Sequence, residues 1–410
     1  SQYLNAWQPG LGSCPPWRQN SIPSRIIPSV ENRLPMTLLS RSLIFWLATV
    51  VTAALSACSP PPEQQAIKGM VEHSILPAYR QFASAANDLY RQTNSFCEAP
   101  NAENYRATQE AWRQAVQGWS AIQFLQFGPL MIDNQSWKIQ FWPDKKNLIA
   151  RKTEALLASD DALDIARVDR ASVVVQGLSA MEYLLFDTTG GQLTRYNSDS
   201  PRPCQALAAI AGHLQQVASR LNHAWQPELN NYAAKLLSPG ADNDEYPSRE
   251  QVLVTLLDSL VYGVELIKRD KLERPLAIPG DGGFPQAYVL EWWRSQYSKE
   301  AVIANLQHLR TLYTAGQTFG IDDLIAHQQY ADPPHQALAE AITNQFDAAL
   351  NKLAAFDTSL FSAASSSSDP ELRQALLNIH SDIDALLHLL EDDLPKAMGL
   401  SLSFNANDGD

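Results

Sequence analysis

The segment Gly177-Leu178-Ser179-Ala180-Met181-Glu182 holds the residues best placed to do chemistry. On a helix, positions three apart share a face, so Ser179 and Glu182 would present a hydroxyl and a carboxylate together. An imidazole in the place of Ser179 would make that pair the start of a metal site. A neutral serine hydroxyl is a poor ligand for zinc or a similar ion, which leaves Glu182 as the one strong donor. The spacing therefore resembles a metal-site scaffold lacking its key ligand and points away from metal catalysis. The apolar stretches Val173-Val174-Val175 and Met181 through Phe186 predict a largely buried helix over 162–187. A carboxylate there needs a partner or a proton. Two readings stay open: Glu182 lines a functional cleft, or it belongs to a structural polar network. Gly177 would let another helix approach closely.

Other chemistry is thinly supported. The eight histidines form no His-Glu-x-x-His or Cys-x-x-Cys-His pattern. His73, beside Glu72 in the first helix, is the candidate to test for proximity to Glu182. No Gly-x-Ser-x-Gly elbow surrounds Ser179, so a serine nucleophile has no base. Trp137, Phe141 and Trp142 either line a pocket or close a bundle, and Glu291-Trp292-Trp293-Arg294 with Tyr297-Ser298 either border that cleft or pack. The oxygen-rich ending Asn405 to Asp410 falls short of a calcium loop.

The elements that would position these residues are helical. Helical spacing recurs over Glu63–Arg91, Asn104–Phe127, 145–158, 162–187, 202–236, 248–269, 285–315, 331–355 and 370–391. Pro77 is expected to kink the first of these, and Gly128-Pro129 to stop the second. Gly177–Leu185 and Leu257–Ile267 echo one another weakly, each placing a glutamate, Glu182 or Glu265, in an apolar helix. The expected fold is all-α: two packed helical-bundle domains with a pseudo-symmetric relation, over 63–236 and 237–410. Chance similarity between amphipathic helices explains the echo equally well.

Upstream, Met36 and Arg41 precede the apolar run Leu43 to Leu55, which ends in Leu55-Ser56-Ala57-Cys58. This order reads as a lipoprotein signal peptide over 36–57, with Cys58 as the lipidated first residue and 58–62 as a tether. The apolar run is shorter than the roughly 20 residues a spanning helix needs. Residues 1–35, proline-rich and without periodicity, read as a non-native upstream extension, with Met36 as the expected start. Ser59 follows the cysteine where an aspartate would suggest inner-membrane retention, so the expected place is the periplasmic face of the outer membrane.

The chain carries 31 basic and 44 acidic residues. Beyond residue 57 the counts are 27 and 43, a net charge of −16. That sign repels nucleic acid and anionic membrane surfaces. The expected partners are instead the membrane, through lipid on Cys58, and an unknown small ligand or envelope protein. Cys97 and Cys204 remain once Cys14 and Cys58 are set aside. In an oxidising compartment they form either a disulfide or two separate buried thiols.

Taken in order, the segments resemble the imelysin family, also classed as M75 peptidase-like. The matching features include the lipoprotein leader, Phe127-Gly128-Pro129, Trp142-Pro143 and Gly177 to Phe186. Lys271-Leu272-Glu273-Arg274-Pro275-Leu276, Tyr297-Ser298 with Asn305-Leu306, and the Phe404-Asn405 ending continue the series. The resemblance spans 63–410. It implies a helical envelope or periplasmic protein, linked to peptidase activity and to iron-related uptake, with a Gly-x-His-x-x-Glu motif on Gly177, Ser179 and Glu182. Serine at the histidine position argues against both proteolysis and simple chelation. The residues themselves define no cofactor; iron or another divalent metal enters only through the resemblance. The first expectation is therefore a non-catalytic envelope binding lipoprotein in iron acquisition. A metal-dependent peptidase with a non-standard site is second, and a structural or protein-interaction lipoprotein third.

Overall fold

Helices form wherever apolar side chains recur at three and four residues, and they stop where a side chain captures the backbone. The computed structural model describes residues 60–186, 192–226, 228, 231–278, 284–331, 333–366 and 368–400. Among them the architecture is all-α, with no strand. The leader, Cys58 and the ending 401–410 lie outside the described residues. No described helix is long and apolar enough to cross a membrane.

The described residues open with α1 (Pro62–Met70), a π-helical stretch Val71–Ile75, and α2 (Leu76–Glu98). Helix α2 buries Tyr79, Phe82, Ala86, Leu89 and Phe96 along one stripe. Helix α3 (Ala102–Ser120) starts where the Asn101 side chain accepts the N–H groups of Glu103 and Asn104, both at 3.0 Å. Then come α4 (Gln135–Ile139), α5 (Leu148–Ala158), α6 (Gly177–Leu185) and α7 (Arg202–Ala224). Helix α2 packs against α3 and α7, and α6 lies on both α3 and α7. Beyond them, α8 (Arg249–Glu265), α9 (Ser298–Tyr313), α10 (Gln336–Ala354) and α11 (Pro370–His388) pack on one another, and α9 also packs on α3. A disulfide joins Cys97, at the end of α2, to Cys204, at the start of α7, with Cα atoms 5.5 Å apart. The link spans a sequence separation of 107, and closing a loop of that length restricts the unfolded chain by about 4–5 kcal/mol in the chain-entropy account.

Three π-helical stretches share one cause. Val71–Ile75, Leu266–Glu273 and Leu389–Asp393 each end two residues before a proline: Pro77, Pro275 and Pro395. Proline lacks the N–H that would bond four residues back, and its ring crowds that carbonyl. The wider π turn gives the ring room while the helix continues. The kink expected at Pro77 is therefore a π turn just ahead of it.

Several helix limits differ from expectation: 202–236 ends at Ala224 and resumes as Tyr232–Leu237, the helix expected over 285–315 begins at Ser298, and two further differences have a visible cause. Helix α3 ends at Ser120, not Phe127, and residues 121–124 form a turn. The Asn305 amide donates to the Ser120 carbonyl at 2.7 Å, capturing a group a longer helix would use. The stretch 162–187 is not one helix: it breaks into Ile165–Asp169, a 3-10 turn Val173–Val175, and α6. The Gln176 side-chain amide donates to the carbonyls of Val168 and Ala171, both at 2.9 Å, and pins the break.

Candidate functional site

The site is built outward from the first turn of α6. Gly177 has φ +62°, a conformation glycine adopts without the penalty of a Cβ. A Cβ there would lie 2.2 Å from the Ile139 carbonyl oxygen and 2.5 Å from that of Lys138. Glycine thus lets the end of α4 lie directly on the start of α6. The contact sets Phe141 against Ser179, whose hydroxyl accepts the Phe141 N–H at 3.2 Å. Glu182 follows one turn later on the same face.

Glu182 is buried, and its Oε1 accepts two bonds from Ser295: from the N–H at 3.0 Å and from the hydroxyl at 2.8 Å. Ser295 comes from a tight loop in which Trp292 (φ +55°) and Gln296 (φ +56°) are left-handed. The Tyr297 N–H closes that loop on the Trp292 carbonyl at 3.1 Å, and the Ser298 hydroxyl donates to the Glu291 carbonyl. The cleft between this loop and α6 is narrow, with room of about 20 Å³, the space of one water-sized molecule. Phe141, Trp142, Trp292, Trp293 and Tyr288 line it together with Ser179, Glu182 and Arg294. Arg294 lies over the Trp293 ring at 4.3 Å and donates to Asn147 Oδ1 at 2.8 Å. Asp144 also borders the cleft, but its two oxygens accept the N–H groups of Leu148 (2.7 Å) and Ile149 (2.9 Å) at the start of α5.

Burial pushes the Glu182 carboxyl above the usual carboxylate range; nearby Arg294 and the Ser295 bonds oppose that shift only in part. The folded protein therefore holds a proton that the unfolded chain gives up near pH 4.3, and stability falls as pH rises from there through the folded value. Glu182→Gln keeps an acceptor for Ser295 and has no proton to lose. Its melting temperature relative to wild type is expected to increase from pH 4 to pH 7. A variant that instead loses ground as pH rises would show that Arg294 stabilises an ionised carboxylate.

Behind the cleft lies a buried polar cluster that the sequence reading missed. Lys271, in the π turn before Pro275, is 1% exposed. Its Nζ donates to Glu291 Oε2 (2.6 Å), Asn305 Oδ1 (2.6 Å) and Gln123 Oε1 (2.8 Å). Three acceptors satisfy the three hydrogens of an ammonium group. Burial pushes the Lys271 amine down, while Glu291 acts against that shift. The Gln140 amide donates to Glu291 Oε1 at 2.8 Å, and its carbonyl accepts from Trp119 (2.6 Å) and Gln123 (2.8 Å). Gln140 also lines the cleft, so the cluster fixes both the Gln140–Trp142 segment and the loop that begins at Glu291. In the sequence Lys271 stands in the charged stretch Lys268 to Arg274, four residues before Pro275, and nothing in that pattern marks it as buried.

Of the candidates named from sequence, Trp142, Ser179 and Glu182 line one cleft, and Gly177 shapes it. His73 and Glu265 are not among its lining residues. His73 is exposed on the π turn after α1. Glu265 is buried at the end of α8 and pairs with Arg269 at 3.0 Å. Residues 187–191 and 279–283 lie outside the described residues. Among the described residues no three His, Cys, Asp or Glu side chains converge as metal ligands. The cleft's donor set does not fit a metal ion: Glu182 is held by Ser295, Asp144 caps a helix, and Arg294 adds a positive charge.

The imelysin (M75 peptidase) family profile matches residues 75–390, and the chain belongs to that family. The chain is similar to "Iron-regulated protein A" of Synechococcus elongatus, 26% identical over 232 residues. That match covers 55% of this chain and 60% of the relative, so the chain spans only about three-fifths of that protein's length. Among solved structures, an imelysin-like protein from Psychrobacter arcticum superposes with a TM-score of 0.67 at 20% identity, covering 84% of this chain and 98% of the other. A putative iron-regulated protein A precursor from Parabacteroides distasonis superposes with a TM-score of 0.65 at 14% identity, covering 81% and 95%. At these identities the likeness is one of fold.

Proposed function

We propose that this chain is a non-catalytic binding lipoprotein of the cell envelope, serving iron acquisition through the Glu182 cleft. In this reading lipid on Cys58 holds it at the periplasmic face of the outer membrane. Two pseudo-symmetric bundles, 63–236 and 237–410, frame the ligand. The observation that carries the reading is the state of the motif: Glu182 accepts two hydrogen bonds from Ser295, and Ser179 is engaged by the Phe141 backbone. Zinc-dependent hydrolysis needs about three protein ligands and an open water position. This motif offers one carboxylate, already bonded. The iron connection is supported by the printed names of the Synechococcus and Parabacteroides relatives, which describe those proteins as iron-regulated.

Purified protein incubated with folded and unfolded protein substrates, with and without added zinc, is expected to give no metal-dependent cleavage. Calorimetric titration with ferric chelates is expected to give saturable binding that Glu182→Ala weakens without loss of helical signal. Zinc-dependent cleavage abolished by Glu182→Gln would replace this reading with a peptidase of non-standard site.

A further inference from the structure

Among the described residues five large apolar side chains stand in water: Met131, Ile132, Trp137, Phe284 and Tyr288, each between 44% and 87% exposed. All five belong to two segments that are remote in sequence and adjacent in space. The Trp142 indole donates to the Val289 carbonyl at 3.0 Å, and Phe141, Trp142 and Tyr288 meet at the rim of the Glu182 cleft. Trp137 continues this surface onto Phe141, with ring centroids 5.8 Å apart. Tyr288 continues it onto Trp293 and Phe361, at 4.9 and 5.6 Å. Single exposed apolar residues are ordinary, whereas a patch assembled from two distant segments marks an interaction surface.

A run of unpaired cations adjoins the first segment. Between Asn134 and Thr153 stand Lys138, Lys145, Lys146, Arg151 and Lys152 against one acid, Asp144. Asp144 spends both oxygens at the start of α5, and Glu154, the next acid along, is taken by Tyr183 and Arg195. Among the described residues no ion pair holds any of the five cations. Lys145 and Lys146 are exposed on the turn that leads to Asn147, whose Oδ1 accepts from Arg294 beside the cleft. Asp133, beside Ile132, is the one exposed carboxylate within the first apolar segment.

We infer that this face docks on an anionic phospholipid bilayer, with the five exposed apolar side chains at the headgroup boundary and Lys145 and Lys146 against the phosphates. Tryptophan and tyrosine favour that boundary, which accommodates both an apolar ring and its polar edge. A lysine lays its stem along apolar surface and keeps its ammonium group in the polar layer. The chain's net charge of −13 does not decide the matter. Screening at physiological salt acts over about 8 Å, so a headgroup layer responds to the charges nearest to it. Most of these cations are lysines, compact charges on flexible stems that suit a fluid layer of phosphates. Fixed carboxylates on a folded partner protein are matched better by an oriented arginine, and Arg294 is already bonded to Asn147. The inference goes beyond the iron reading and needs no ligand in the cleft. It turns the cleft mouth toward the headgroups.

Hydroxyl-radical footprinting of the purified full chain reads this surface side chain by side chain, because methionine, tryptophan, phenylalanine and tyrosine all react. The chain is oxidised in buffer, on phosphatidylcholine vesicles, and on vesicles of phosphatidylglycerol with phosphatidylethanolamine. Each basic residue near an anionic surface strengthens docking by about fivefold. Oxidation of Met131, Trp137, Phe284 and Tyr288 is therefore expected to fall together by at least about fivefold on the anionic vesicles, and by less on the neutral ones. His388, exposed and outside the patch, should keep its rate. The double variant Lys145→Glu, Lys146→Glu should return all four side chains to their rates in buffer, with an unchanged melting temperature. Unchanged oxidation on anionic vesicles overturns the inference, even where the chain is held to the vesicle by lipid on Cys58. Equal protection on neutral and anionic vesicles, or protection that survives the double variant, overturns the role of the cations. Protection that grows with protein concentration in buffer assigns the face to a second copy of the chain and overturns it too. So does protection by poly-glutamate with none by vesicles, which assigns the face to an acidic protein. None of these outcomes bears on ferric-chelate binding, so the iron reading stands or falls separately.

Discussion

Lys271→Met is expected to destabilise the protein by about 3–5 kcal/mol, the usual cost of removing one partner from a buried ion pair. The substitution leaves Glu291, 2% exposed, without its cation. It also strips a donor from Asn305 and Gln123. Denaturant unfolding of the variant measures the loss directly. Replacing both charges, as Lys271→Met with Glu291→Leu, should recover part of it, since no charge is then stranded. Recovery will be incomplete because Gln123 and Gln140 lose the carboxylate that accepts from both. A loss below about 1 kcal/mol for Lys271→Met would place the pair among weak surface-type interactions. The cluster would then not be what holds the 291–297 loop.

Gly177→Ala is the second large effect expected. Left-handed backbone costs an L-residue roughly 1–2 kcal/mol. The new Cβ would also overlap the Ile139 carbonyl oxygen at 2.2 Å, so the end of α4 must move. A total above about 3 kcal/mol follows, within the range of severe packing and strain mutations. Gly240→Ala is the control: a Cβ there meets nothing within 4 Å, and the change should stay within about 0.5 kcal/mol. Comparable losses at the two positions would show that the α4–α6 contact is soft. Because that contact sets Phe141 on Ser179, Gly177→Ala should also reshape the cleft.

The parts of this molecule legible from sequence are those governed by local pattern. Apolar spacing marked α2, α3 and α7, and Gly177 was noted as a point of close approach. The same pattern merged Ile165–Asp169 with α6, because three valines and a glutamine look compatible with a helix. What breaks the run is a side-chain amide bonding backward to the carbonyls of Val168 and Ala171, which periodicity cannot register. The site divides likewise. Glu182, Ser179 and Trp142 were recognisable as motif residues. Ser295 and Arg294 reach the cleft from more than 100 positions away, through a loop shaped by left-handed Trp292 and Gln296. The Lys271–Glu291 pair was hidden because a lysine in a charged stretch reads as a solvated surface residue. Its burial follows from the π turn before Pro275, which depends on the fold around it. His73 and Glu265 were drawn in by sequence neighbourhood and by the internal echo, and neither lines the cleft.

A crystal structure of the protein soaked with ferric citrate, with iron located by anomalous scattering, tests the central claim most directly. The account predicts density for the iron chelate at the Glu182 cleft. A cleft without chelate density, or iron bound only elsewhere on the protein, would contradict it.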